Sequence, residues 1–251
     1  MNLGNRLGQV VMIVAVALGV WLYANCPGAG FLGGEQRKTD KPPRPKILID
    51  GSDYILDDPN SAPLMSALAR GDDADAIRLI SEGADVNVSD RYGITPLFLA
   101  SGDGNVEIVR RLLAKGSRVN FATNDGETAL MVAAFGGHLS TVKELIQHGA
   151  NVNQGSKVGI TPLMEASHSL PVVRLLLAHG ANVNSRDVLL ETALMMATRA
   201  ERADIVRTLV DAGADVNAKD RNGRSALSWA LDSKRSDLIR ILRPEPVRKR
   251  R

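Results

Sequence analysis

The chain has almost no cysteine: Cys26 is the only one in 251 residues, so no disulfide framework can form within it. That thiol has no nearby His to activate it and is a poor nucleophile. The GxSxG elbow, the HExxH zinc motif and a Gly-rich phosphate loop are missing too, which removes the usual sequence grounds for hydrolase, metallopeptidase or nucleotide chemistry. Of the four histidines, His168 stands in an irregular segment, yet no Cys or His lies beside it at metal-ligand spacing. Asp is plentiful, but turns account for it, which leaves paired-carboxylate catalysis with little support. These absences argue for a protein that is not an enzyme and takes no metal or cofactor. An enzymatic or metal-dependent role for His168 is the alternative of another class.

A surplus of one charge is also missing from most of the chain, although the formal charge is +3. Residues 1–57 carry six basic and five acidic groups and residues 243–251 carry five and one, leaving about 20 against 22 for residues 58–242. The alkaline character belongs to the tail, Arg243 and Arg248 to Arg251, and the body offers no broad face for nucleic acid. Such a tail is ordinarily a solvated end; contact with anionic lipid or an acidic partner is the sharper reading.

One long uncharged run is present. LGQVVMIVAVALGVWLYA spans 18 residues, 7–24, about the minimum for a membrane-crossing helix. Leu7, Val10, Ile13 and Leu18 belong to its apolar body, and Trp21 and Tyr23 suit a membrane interface. Small residues for signal cleavage are badly placed around Pro27, and Tyr23 and Asn25 spoil a lipoprotein box at Cys26. Residues 1–26 therefore read as a retained signal anchor, with a removed signal or a lipidated Cys26 as alternatives. Arg6 ahead of the run favours a cytosolic amino terminus and an array outside the cytoplasm, periplasmic, while Arg37, Lys38, Lys41 and Arg44 count the other way. Residues 27–57, with PGAGFLGG and KTDKPPRPK, read as an extended linker. ILID at 47–50 and YIL at 54–56 interrupt it and are available to cap the apolar end of the first repeat.

Beyond the linker the chain repeats itself. GADVN at 83–87 returns unchanged at 213–217, with GSRVN at 116–120 and GANVN at 149–153 and 180–184 between them. The opening glycines lie 33, 33, 31 and 33 residues apart, a fixed period that marks stacked structural units. A second phrase keeps the same beat: APLM at Ala62, TPLF at Thr95, TALM at Thr128, TPLM at Thr161, TALM at Thr192 and SALS at Ser225. Six units fill residues 58–242.

In the unit RYGITPLFLASGDGNVEIVRRLLAKGSRVN, 91–120, Thr95 is a helix cap and Pro96 suits the first helical position. The helix meets a turn at Gly102 to Asn105. A second helix comes next, with Val106, Ile108, Val109, Leu112 and Leu113 on one face, and Gly116 ends it. Neither helix can hide its apolar stripe alone, so neighbouring units must supply the rest of the core. Ala100, Ala133, Ala134, Ala166, Ala197 and Ala230 let first helices approach closely.

The pattern resembles the ankyrin repeat, with its turn, TPLH start, second helix and GADVN close. The resemblance implies an all-α solenoid of stacked helix-turn-helix units with projecting β-turn fingers. Three departures carry expectations. The family's His is replaced by Met65, Phe98, Met131, Met164, Met195 and Ser228, which predicts looser helix starts. Unit four is two residues short between its helices, a deletion that a loop tolerates, with a bend in the array as the alternative. In the turn before unit five, DVLLE puts Leu190 where the turn wants Gly, predicting a distorted, apolar finger. His138 falls where the family has a structural His, and His148 and His179 share one place near a helix end.

Ankyrin proteins make contacts through finger tips and the exposed ends of first helices. Carried onto this chain, those positions are Arg91, Tyr92, Ile94, Glu127, Phe135, Val158, Ile160, His168, Val188, Leu189, Arg199, Arg221 and Arg224. Tyr92, Phe135 and Arg199 are of types enriched at binding hot spots. The expected function is a membrane-tethered scaffold for an unidentified protein partner, with no nucleic acid; a secreted or periplasmic module freed by signal cleavage and a purely mechanical spacer are the rivals.

Overall fold

The computed structural model describes residues 63–243. The uncharged run at residues 7–24 expected to anchor the chain, the expected linker at 27–57 with its capping candidates, and the tail beyond Arg243 lie outside these residues, as do residues 58–62 at the start of the first unit.

Twelve helices occupy the described residues in six antiparallel pairs. They are α1 (Pro63–Arg70) and α2 (Asp73–Ser81), α3 (Pro96–Gly102) and α4 (Val106–Ala114), α5 (Ala129–Phe135) and α6 (Leu139–Gln147). Then come α7 (Pro162–Glu165) and α8 (Leu170–Ala178), α9 (Ala193–Arg199) and α10 (Ala203–Asp211), α11 (Ala226–Asp232) and α12 (Ser236–Leu242). First helices pack on first helices and second on second, from each unit to the next, giving two layers. Among the described residues there is no strand, only one isolated bridge, Ala122 to Thr128, and no helix long and apolar enough to cross a membrane.

The repeated residues explain the stacking. Two residues after each capping position stands a Leu, and Leu64, Leu97, Leu130, Leu163 and Leu194 are all buried between units. Each such side chain contributes about 1.5–3 kcal/mol by leaving water. Three residues later stands Ala67, Ala100, Ala133, Ala166, Ala197 or Ala230, all buried; only a small side chain fits where two helices meet this closely. Among the described residues no unit follows the sixth, and Leu231 is 46 % exposed there, while its counterparts Ser101, Ala134, Ser167 and Thr198 are buried.

The closing phrase works as a clip between units. Asn153 donates from Nδ2 to the Gly180 carbonyl at 2.9 Å and accepts at Oδ1 from the Asn182 amide at 2.7 Å. Asn87, Asn120 and Asn184 do the same, reaching the carbonyls of Gly116, Gly149 and Gly213 and the amides of Arg118, Asn151 and Asp215. The Asn recurs because its amide offers one donor and one acceptor at the spacing the next unit's turn presents. Within the phrase Asp85, Asn151, Asn182 and Asp215 each accept from the amide two residues on, closing a turn.

The fingers share one plan. A polar residue, Asp90, Thr123, Ser156, Asp187 or Asp220, accepts at its side-chain oxygen from the amide four residues on and donates its own amide to that residue's carbonyl. Adjacent fingers are tied by single backbone bonds: Asn124 to Tyr92, Lys157 to Asp125, Val188 to Val158 and Arg221 to Leu189, at 2.8–2.9 Å.

Two expectations change. The helix starts are not left open, since Thr95, Thr128, Thr161 and Thr192 each accept from the amide three residues on at 3.2–3.4 Å. Met65, Met131, Met164 and Met195 are buried where the family places His, and Ser228 forms a reciprocal capping box with Ser225. The finger of unit five is not distorted either. Leu190 takes φ 61 and donates to the Asp187 carbonyl at 2.9 Å, as Gly93, Gly126, Gly159 and Gly223 do in their fingers. The left-handed conformation costs Leu about 1–2 kcal/mol, and the hydrogen bonds of the finger outweigh it. The finger is apolar as expected, with Val188, Leu189 and Leu190 all exposed.

In unit four the deletion shortens α7 to one turn, and α8 begins at Leu170 with Pro171 in its second position. The clips from Asn120 and Asn153 and the finger bonds on both sides persist, so the loss is absorbed in the turn at 166–169. His138 precedes α6 and its Nε2 lies 2.9 Å from the Gly102 carbonyl of the unit before. His148 and His179 end α6 and α8.

Candidate partner-binding face

Three half-buried or exposed positions recur in units two to six and adjoin one another. One is the finger base just before the capping residue: Ile94, Glu127, Ile160, Glu191 and Arg224. The second is the first-helix position four after the cap: Leu99, Val132, Glu165, Met196 and Trp229. The third stands seven after the cap, at the end of that helix in Gly102, Phe135, Arg199 and Asp232 and in the turn just past it in His168. Contacts show that finger base and helix adjoin. In unit five Arg199 pairs with Glu191 through two bonds, 2.7 and 3.3 Å. In unit six Arg224 pairs with Asp232 and lies 3.6 Å over the Trp229 ring, which Arg199 also approaches at 5.5 Å.

The thirteen residues expected from the sequence divide between this face and the finger tips. Arg91 stacks on Tyr92 at 4.8 Å, and Tyr92 is 36 % exposed. Val158, Val188 and Leu189 are exposed tips on two fingers joined by the Val188 to Val158 bond, and Arg221 is an exposed tip on the next. Ile94 and Ile160 are half-buried, and Ile160 packs against the core, which makes them mainly spacers between fingers. Glu127, Phe135, His168, Arg199 and Arg224 lie on the face itself.

Its electrostatics change along its length. Burial, and then Asp125, raise the Glu127 carboxyl above the ordinary range. Burial, with Glu127 adding to it, pushes Glu165 up to about 8. His168 is lowered by burial and by Arg202, although the backbone of Phe135 and Glu165 acts the other way. Its ring meets Phe135 edge-on, centroids 6.0 Å apart at 72°. Farther along, Arg199 Nε and Trp229 Nε1 are enclosed with no hydrogen-bond partner among the described residues. Among the described residues no group of His, Cys, Asp or Glu is arranged to hold a metal.

Sequence reading missed Glu165, Glu191, Trp229 and Asp232. The signal was the register itself: counting four residues from each capping Thr or Ser lands on Glu165 and Trp229 directly.

Helical hairpins stacked side by side, with a turn projecting from each junction, define a repeat solenoid. A family model described as Ankyrin repeats (3 copies) matches residues 46–123, 64–156, 104–187 and 187–249. The chain belongs to the ankyrin-repeat family and is a protein–protein interaction module. No curated protein matches it.

Proposed function

We propose that the chain binds a protein partner along the face formed by finger bases and first helices, that it catalyses nothing, and that the run at residues 7–24 tethers it to a membrane. The observation that carries the binding reading is a contrast within the chain. Positions that build the stack repeat from unit to unit, as Thr, Leu, Ala and Asn. Positions on the face differ in every unit: Leu99, Val132, Glu165, Met196, Trp229. Packing and the clips constrain the first set closely and the half-buried second set less, so the second is where recognition resides.

Two exposed aromatics on or beside the face, Tyr92 and Phe135, are the anchors. Crosslinking in intact cells with subsequent identification of the captured protein tests this. Tyr92→Ala with Phe135→Ala should abolish capture; capture that survives both would refute it.

The tether rests on the uncharged run of 18 residues bounded by Arg6, and Arg6 supports an array outside the cytoplasm. Mass spectrometry of the membrane fraction should find a peptide containing Met1. Protease added to spheroplasts should digest the array; protection would place it in the cytoplasm.

A further inference from the structure

We propose that Glu127 and Glu165, walled by Phe135 and His168, receive a Lys or Arg side chain from an extended basic segment of the protein partner. This rests on the binding face described above and names the chemistry of what occupies it.

The two carboxylates are exceptions in this molecule. Other shielded acids are compensated: Glu191 by Arg199, Glu144 by Arg110 at 3.3 Å, and Asp187 and Asp220 by two backbone amides each. Glu127 and Glu165 are half-buried, belong to adjoining units three and four with Glu127 near enough to raise the Glu165 carboxyl, and have no cation against them among the described residues. Asp125 makes Glu127 harder to ionise, and Glu127 does the same to Glu165. Stacking does not require them. Finger-base positions are filled by Ile94 and Ile160 in the flanking units, and helix positions by Leu99, Val132 and Met196.

An independent feature points to a cation. Phe135 is 36 % exposed and meets His168 edge-on, and the His168 ring is hydrogen-bonded to the backbone of Phe135 and Glu165; rings near carboxylates favour a cationic guest. His168, lowered by burial and by Arg202, is neutral near pH 7 and does not repel one. The nearby cations are already held: Arg199 by Glu191, and Arg202 by Asp204 and the His168 carbonyl. Phosphate-rich nucleic acid or anionic lipid would meet the same carboxylates unfavourably, which selects a protein segment.

The neighbouring helix positions fix the rest of the motif. Val132 and Met196 flank Glu165 along the row. First helices lie roughly 8–10 Å apart and an extended chain advances about 3.3 Å per residue, so apolar residues belong about three positions on either side of the basic one.

The test is selection of random phage-displayed peptides on the full chain, run in parallel on a Glu127→Gln, Glu165→Gln variant. These changes remove a repulsion and leave the fold intact, checked by circular dichroism. Wild type should enrich peptides with one Lys or Arg between spaced apolar residues, and the variant should bind them about tenfold more weakly or worse. Enriched peptides without a basic bias, still dependent on Tyr92 and Phe135, would overturn this inference and leave the binding face standing. No enrichment on either protein would overturn both. Removing residues 244–251 should not change the selected set; a basic set that emerges only then would make the chain's own arginines the occupant and overturn the assignment to a partner.

Discussion

Replacing Asn153 by Ala removes one donor and one acceptor that join unit four to unit five, at 2.9 and 2.7 Å. A net hydrogen bond is worth about 0.5–1.5 kcal/mol, and these two are exposed to competing water, so the expected loss is about 1–2 kcal/mol for the pair. In an array of this size each kcal/mol moves the melting temperature by roughly 2–4 °C. Asn217 supplies the control: it ends the same phrase, but its side chain clips no further unit, and among the described residues only its backbone amide is engaged, by Asp215. Asn217→Ala should leave stability within about 0.5 kcal/mol of wild type. Urea unfolding monitored by circular dichroism measures both, and hydrogen exchange should show Asn153→Ala loosening the turn at 180–182 first. Equal losses from the two substitutions would refute the clip and return the Asn to a role inside its own unit.

Raising the pH should cost the wild type stability. The Glu165 carboxyl lies at about 8 in the folded chain against an ordinary 4.5, so the folded state holds its proton longer than the unfolded one and stability falls as pH rises between those values. Glu165→Gln should flatten that slope in melting temperatures taken from pH 5 to 8; an unchanged slope would show the group is not shielded. Leu190→Gly should change stability by less than about 1 kcal/mol, because relief of the positive φ is opposed by greater freedom of the unfolded chain; a large loss would mean that the Leu190 side chain holds the finger. Thr128→Ala removes the cap on Met131 and should cost about 1 kcal/mol in urea unfolding, with no effect expected if the helix start is held by packing alone.

The period of the GADVN phrases and the capping Thr row were sufficient to read the helix pairs, their order and their number from sequence, because each unit's apolar stripe needs a neighbour and repeats to meet it. Thr95, Leu97 and Ala100 announce their roles by residue type and spacing alone. The sequence could not show that Asn153 bonds forward into the next unit, since that link joins residues about thirty apart through a geometry set by stacking. Leu190 misled for a related reason: propensity penalises its φ, and only the closed finger around Asp187 shows the bonds that hold it there. The pairing of Arg199 with Glu191 and the unmatched carboxylates of Glu127 and Glu165 also belong to the tertiary structure. Residue types repeat along the chain, but which charges meet depends on how one unit lies against the next.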